Sequence, residues 1–297
     1  VMSNQITTAF VNHYRSNVDF LLQQKGSVMR PFMRNETQSA EFDFYDRIGA
    51  TSAIEVLTRH ADTPLVETPH DRRRCHLRDF DWADLIDRKD RIRILIDPTS
   101  PYAQNAAFAL GRSIDDVIIE NMFGTAYTGK TGSGTSVHDV TNNRTLVDYV
   151  ESGGAADSGL TIPKLRNVRQ KLVANQNDKS EARYIALSAK QMTDLLANSL
   201  VQSIDTNEIK ALVHGEVSTY MGFKFIESER LSVTTSTAHR RLPCWVHSGM
   251  VFASGAEINA EIGPRRDKRN STQVYCSASF GAVRMEENKM YEIECDE

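Results

Sequence analysis

The sequence predicts an α+β protein of two lobes with protruding parts, and three observations carry that expectation. A helix of about six turns stands in the first half, and alternating strands fill the C-terminal third. Two stretches near the N-terminus, by contrast, offer too little patterned apolar surface to be stable alone. At 297 residues the chain is about twice the usual size of one domain. Apolar residues make up 40% and charged residues 25%, so there is material for a core and no case for global disorder. A net charge of -4 argues against a surface built throughout to grip nucleic acid.

Residues 1–37 read as an arm, with a possible helix over 9–22 and an irregular stretch around Pro31. From Phe42 to Ile86 a loosely alternating segment holds Pro64 and Pro69 near its middle, followed by Arg72, Arg73 and Arg74. This reads as a long hairpin excursion whose tip is mobile or supported by a partner. Ile92 to Ile96 is a short strand. Ser100 and Pro101 then supply an N-cap and a proline at the first helical position. Ala107, Leu110, Ile114, Val117, Ile118 and Met122 recur at helical steps up to Gly124, with Arg112, Asp115, Asp116 and Glu120 opposite.

The glycine-rich stretch 124–159 reads as loops with one strand over Thr145–Val150. Beyond it the spacing predicts a helix from Ile162 with Leu165, Val168 and Leu172 inward and Lys164 on its polar rim. A buried strand follows over Tyr184–Leu187, then a helix opened by a Ser188–Gln191 capping box. A short helix at 208–214 leads into a strand over Val217–Glu227. The last strands are expected at Trp245–Ala253, Glu257–Ile262, Thr272–Phe280 and Met290–Cys295. In the final one Tyr291, Ile293 and Cys295 face inward and Glu292 and Glu294 outward.

Gly124 to Thr131 satisfies the G-x-x-x-x-G-K-[ST] phosphate-loop pattern, with Lys130 and Thr131 in the phosphate and magnesium roles. The mechanism needs a strand before the loop and a helix after it. Here a helix precedes it and Gly132-Ser133-Gly134 follows, so a nucleotide-binding enzyme is the alternative from another class rather than the main reading. His70, Cys75, His76, Cys244 and His247 match no standard zinc spacing. The four cysteines are far apart, and Cys276 and Cys295 sit at apolar strand positions, which favours burial over disulfides. Arg265 to Arg269 reads as a solvated turn. No apolar run reaches the length of a membrane span, and the polar start carries no secretion signal, so a cytoplasm-like compartment is expected. No catalytic, cofactor or metal residues are assigned.

Gly215-Glu-Val217 leading to Tyr220-Met221-Gly222-Phe223, the Trp245 segment, Phe280-Gly-Ala-Val-Arg-Met-Glu286 and the closing Tyr291-Glu-Ile-Glu-Cys295 resemble the major capsid proteins of tailed bacteriophages with the Hong Kong-97-type fold. The resemblance implies an N-terminal arm (1–37), an extended loop (38–90), a peripheral domain with a long spine helix (91–150 and 255–297) and an axial α/β domain (151–254). It implies a structural protein of the virion that self-assembles as hexamers and pentamers into an icosahedral shell around double-stranded DNA, with scaffolding and portal proteins as partners and assembly in the host cytoplasm. A mildly negative chain suits a lining that must not hold packaged DNA tightly. There is no long charged, coiled N-terminal segment of the kind some relatives remove. Either it is already cleaved or a separate scaffold does its work, and Met2 favours the scaffold. An encapsulin-like shell around cargo enzymes is the nearer alternative. Arg72, Arg73 and Arg74 are expected at or near an inter-subunit contact, because adjacent arginines on a protruding segment need carboxylates.

Overall fold

The computed structural model describes residues 23–55, 57–58, 62–63, 65–86, 99–151, 156–197, 219–234 and 239–297. The expected helices at 9–22 and 208–214 and the expected strand at 92–96 lie outside these residues. The chain divides into two compact units. One comprises Val1–Ser27, Asp79–Ser113 and Ala256–Ser279, the other Val28–Arg78, Ile114–Gly255 and Phe280–Glu297.

The larger unit is built on a six-stranded sheet. Its strands are β7 (Arg144–Thr145), β8 (Arg183–Leu187), β9 (Thr219–Tyr220), β10 (Phe223–Glu227), β11 (Arg240–Val246) and β14 (Met290–Cys295), in the order β7-β14-β11-β8-β10-β9. All five residues of β8 are buried, as a strand with neighbours on both sides and an apolar run from Tyr184 to Leu187 should be, and Arg183 is buried with them. Helix α2 (Ile162–Ala174) packs on β7 and β14 through Leu165, Val168 and Leu172, the stripe that the spacing predicts. Helix α3 (Ala189–Ala197) starts after Ser188, whose hydroxyl donates to the Gln191 side chain. Its first N–H, that of Ala189, donates to the Glu229 carboxylate at 2.7 Å, which places a negative charge at the positive end of the helix.

Several expectations are corrected here. The strand at Thr145–Val150 shrinks to Arg144–Thr145, because the Tyr149 N–H turns back to the Leu146 carbonyl. The strand at Val217–Glu227 is a hairpin over its described part: Met221 (φ 52°) and Gly222 (φ 84°) are both left-handed, the signature of a two-residue I′ turn. The Trp245–Ala253 strand is two strands in two sheets, separated by a 3-10 turn at His247–Gly249. β11 begins earlier, at Arg240, despite Pro243. Pairing with β8 covers only Cys244 to Val246, so the missing proline N–H lies beyond that ladder.

Four side chains expected outside are inside. Lys164 is fully buried, and its Nζ donates to the carbonyls of Ser158 (2.7 Å), Gly159 (3.0 Å) and Glu294 (3.0 Å). These three acceptors replace its water shell, and burial pushes its pKa down. Glu292 and Glu294 are buried as well, so β14 is not a strand with one wet face. Asp115 is buried, and its carboxylate accepts the N–H groups of Val28 and Met29 at 3.0 and 3.1 Å. Residues 28–37 are thereby built into this unit. Pro31 opens a 3-10 turn, and β1 (Arg34–Thr37) pairs in parallel with the start of β12 (Met250–Arg265). Arg-Asn-Glu-Thr has no strand pattern of its own; its neighbour imposes the conformation.

The other unit contains β4 (Arg78–Ile86) from Asp79, the far part of β12 and the matching part of β13 (Ser271–Arg284), with β13 between β12 and β4. It also holds the first half of helix α1 (Thr99–Phe123). The helix already includes Thr99, so Pro101 lies within the first turn rather than at its first residue. At the far end the Gly124 N–H closes on the Glu120 carbonyl, the stop expected at that glycine. Gly111 is where residues 26–27 cross α1: a Cβ there would lie 2.5 Å from the Gly26 Cα. Arg112 secures the crossing by donating to the Gln23 side chain (2.9 Å) and the Gln24 carbonyl (3.1 Å).

Candidate assembly site

Strands β2 (Phe42–Ile48) and β3 (His70–His76) form an antiparallel hairpin in register from Phe42 opposite His76 to Ile48 opposite His70. Between the two strands apolar side chains are left in solvent: Leu57 is 83% exposed, Leu65 94% and Ile54 54%. At its base β3 continues the sheet through β5 (Ala126–Thr128) and β6 (Gly134–Ser136) in the order β2-β3-β5-β6. The excursion therefore ends at His76. β4 belongs to a different sheet.

Arg72, Arg73 and Arg74 lie on strand β3, not on a loop. Strand alternation separates them, with Arg72 and Arg74 on one face and Arg73 on the other. Arg73 is 1% exposed. It donates from Nε to the Met285 carbonyl and from Nη2 to Glu287, both at 3.1 Å. Arg284 is fully buried beside it. It donates to the carbonyls of Met122 (2.7 Å), Gly124 (2.9 Å) and Ser136 (3.1 Å) and meets Glu287 at 2.7 Å. Burial depresses the Arg73 pKa, and the Arg47 charge adds to this, against the pull of Glu287. An arginine nevertheless stays charged, so the pair works as a fixed cationic bolt between hairpin base and C-terminal segment. On the other face Arg72 pairs with Asp46 at 3.0 Å and packs on Phe44. Arg74 packs on Phe42 and Tyr127.

The phosphate-loop match is a piece of this sheet. Gly124 follows α1, Ala126 to Thr128 are strand β5, Gly129 (φ 86°) and Gly132 (φ 68°) make the turn, and β6 follows. The Asp71 carboxylate lies beside the Gly129 N–H, so a negative charge stands where the pattern would need a phosphate. Lys130 is exposed.

Alternation also disperses the zinc candidates. Cys75 and His76 point to opposite faces, and Cys75 is buried with its thiol pushed up to about 12. All four cysteines are free and buried. Among the described residues no group of three His, Cys, Asp or Glu could hold a metal ion, and no helix is long and apolar enough to cross a membrane. Arg265 to Arg269 form the exposed turn between β12 and β13, with Arg265 donating to Asp267 at 3.0 Å.

The sequence reading passed over a second buried cluster. Glu292 accepts from Arg241 at 2.6 and 2.9 Å, meets Arg144 at 3.2 Å, and has His138 Nε2 at 3.4 Å. Arg144 lies on β7 and Arg241 on β11, the two strands that pair with β14, and that pairing is set by contacts distant in sequence.

Solved structures define the class of protein this fold belongs to. The capsid protein of cyanophage P-SCSP1u superposes with a TM-score of 0.73 at 14% identity, over 99% of this chain and 95% of that one. The capsid protein of Ralstonia phage GP4 gives 0.73 at 9% identity, over 96% and 95%. A chain of Mycobacterium phage Che8 gives 0.68 at 14% identity, over 96% and 97%. The fold is the Hong Kong-97-type capsid fold. No curated protein sequence matches the chain. The family model for phage capsid proteins matches residues 6–297, and the chain belongs to that family.

Proposed function

We propose that the chain is the major capsid protein of a tailed double-stranded-DNA phage and acts without catalysis. Hexamers and pentamers of it close into an icosahedral shell, assembled in the host cytoplasm with scaffolding and portal proteins. In this reading 1–37 is the arm, 38–90 the extended loop, 91–150 with 255–297 the peripheral domain, and 151–254 the axial domain. The observation that carries it is the hairpin of strands β2 and β3. Its base is bolted by Arg73 and Arg284, while Ile54, Leu57 and Leu65, between its two strands, are exposed among the described residues. Exposed apolar side chains grouped on one projection mark an interaction surface. Arg72, Arg73 and Arg74 serve the same contact, Arg73 by holding the base rigid and its two neighbours from the open face.

Replacing Leu57 and Leu65 with Ser tests this. The subunit should keep its circular dichroism spectrum and lose closed shells. Unchanged shell yield would remove the hairpin from the assembly account.

A further inference from the structure

The open face of the hairpin base holds a pocket of about 290 Å³ lined by Arg74, His76, Arg78, Thr125, Tyr127 and Arg284, among others. The other basic side chains around it have acidic neighbours within the chain. Arg78 meets Glu120 at 2.6 Å, Arg284 meets Glu287, and His76 lies 3.7 Å from Glu41. Arg74 is different. Its guanidinium carbon lies 5.0 Å from the Phe42 ring centre and 4.6 Å from that of Tyr127, and among the described residues it has no carboxylate partner. Its Nε is shielded from solvent and has no hydrogen-bond acceptor. A buried donor left unmade costs about 1–3 kcal/mol, so such a group marks a place where an acceptor belongs.

We propose that this pocket is a binding site for a single oxyanion, a carboxylate or phosphate group held by the edge of the Arg74 guanidinium. Arg74 thus packs against two rings while its Nε–H stays unanswered, and a guanidinium in that state can pair along its edge with an oxyanion. Arg78 and Arg284 add positive field without supplying the missing acceptor. Lysine could not substitute, because a point ammonium lacks both the planar fork and the stacking surface. The oxyanion can come from an acidic side chain of a second copy or from solution. The first source rests on the shell reading above; the site itself does not.

The test is thermal unfolding of the purified chain in inorganic phosphate against chloride at matched ionic strength. Phosphate at tenfold over its dissociation constant should raise Tm by about 3 °C. Arg74→Gln and Arg74→Lys should abolish that rise. If a second copy supplies the carboxylate, phosphate will also reduce shell formation by the native chain, and assembled shells will show no phosphate response. If the ion comes from solution, shells will respond as the free chain does. Equal Tm of the native chain in phosphate and chloride would overturn the proposal, whether or not shells form. So would a full phosphate response retained by a folded Arg74→Gln chain.

Discussion

The guanidinium of Arg241 donates two hydrogen bonds, 2.6 and 2.9 Å long, to a Glu292 carboxylate that has no solvent exposure. One partner lies on β11 and the other on β14, so the pair crosses the centre of the larger sheet. Burial alone would raise the Glu292 pKa. The hydrogen bonds from Arg241, the nearby His138 ring and the charges of Arg241 and Arg144 overcome it and hold the carboxyl at about 2.

That depression predicts how acid acts on the fold. A carboxyl whose folded pKa lies below its unfolded value of about 4.5 contributes stability that is complete above that value and lost as pH falls toward 2. The contribution at neutral pH is on the order of 3 kcal/mol, and Glu292→Gln should cost a comparable amount by leaving the Arg241 guanidinium without its carboxylate. Urea midpoints at pH 7, 4.5 and 2.5 should therefore show the native chain's advantage over Glu292→Gln constant down to about 4.5 and then shrinking. An advantage independent of pH would mean the carboxylate is not what Arg241 holds.

The three adjacent arginines should separate in stability. Arg73→Ala leaves a cavity, removes the donor to the Met285 carbonyl and takes away one of the two arginines on Glu287, at a cost of about 3 kcal/mol. Arg72, 39% exposed and paired with an exposed Asp46, should cost at most about 0.5 kcal/mol after solvent screening. Chemical denaturation of the two single variants decides this, and equal losses would contradict the burial of Arg73.

At Gly111 two effects oppose each other. Alanine favours a helix over glycine by about 1 kcal/mol, yet its Cβ would meet the Gly26 backbone at 2.5 Å. Backbone cannot swing aside as a long side chain can, so the clash should win, with a net loss of about 1–3 kcal/mol for Gly111→Ala. A raised Tm would show that residues 26–27 do not cross there.

Lys130→Ala should change neither stability nor assembly, and calorimetry of the native chain with magnesium-ATP should show no heat of binding. Micromolar binding abolished by that substitution would reinstate the phosphate loop, against the Asp71 carboxylate beside the turn.

Local pattern made much of this fold legible. Leu165, Val168 and Leu172 revealed a helix face, and Gly124 its predecessor's end. Tyr184 to Leu187 revealed a strand buried on both faces. What stayed hidden depends on distant partners. β1 is a strand only because β12 lies beside it. Lys164, Asp115 and Glu292 look like surface residues until three carbonyls, two N–H groups, and two arginines with a histidine arrive from elsewhere in the chain. The arginines at 72–74 were visible as a cluster, but only strand alternation on β3 sends Arg73 inward and leaves Arg74 facing out. Pro243 concealed the first half of β11, because whether a strand tolerates proline depends on where its neighbour's ladder stops.

Electron microscopy of the purified chain, co-expressed with its scaffold if one is required, tests the central claim most directly. The account predicts closed, uniformly sized shells or their hexameric and pentameric capsomers in negative stain. A chain that stays a monodisperse monomer under those conditions would contradict it.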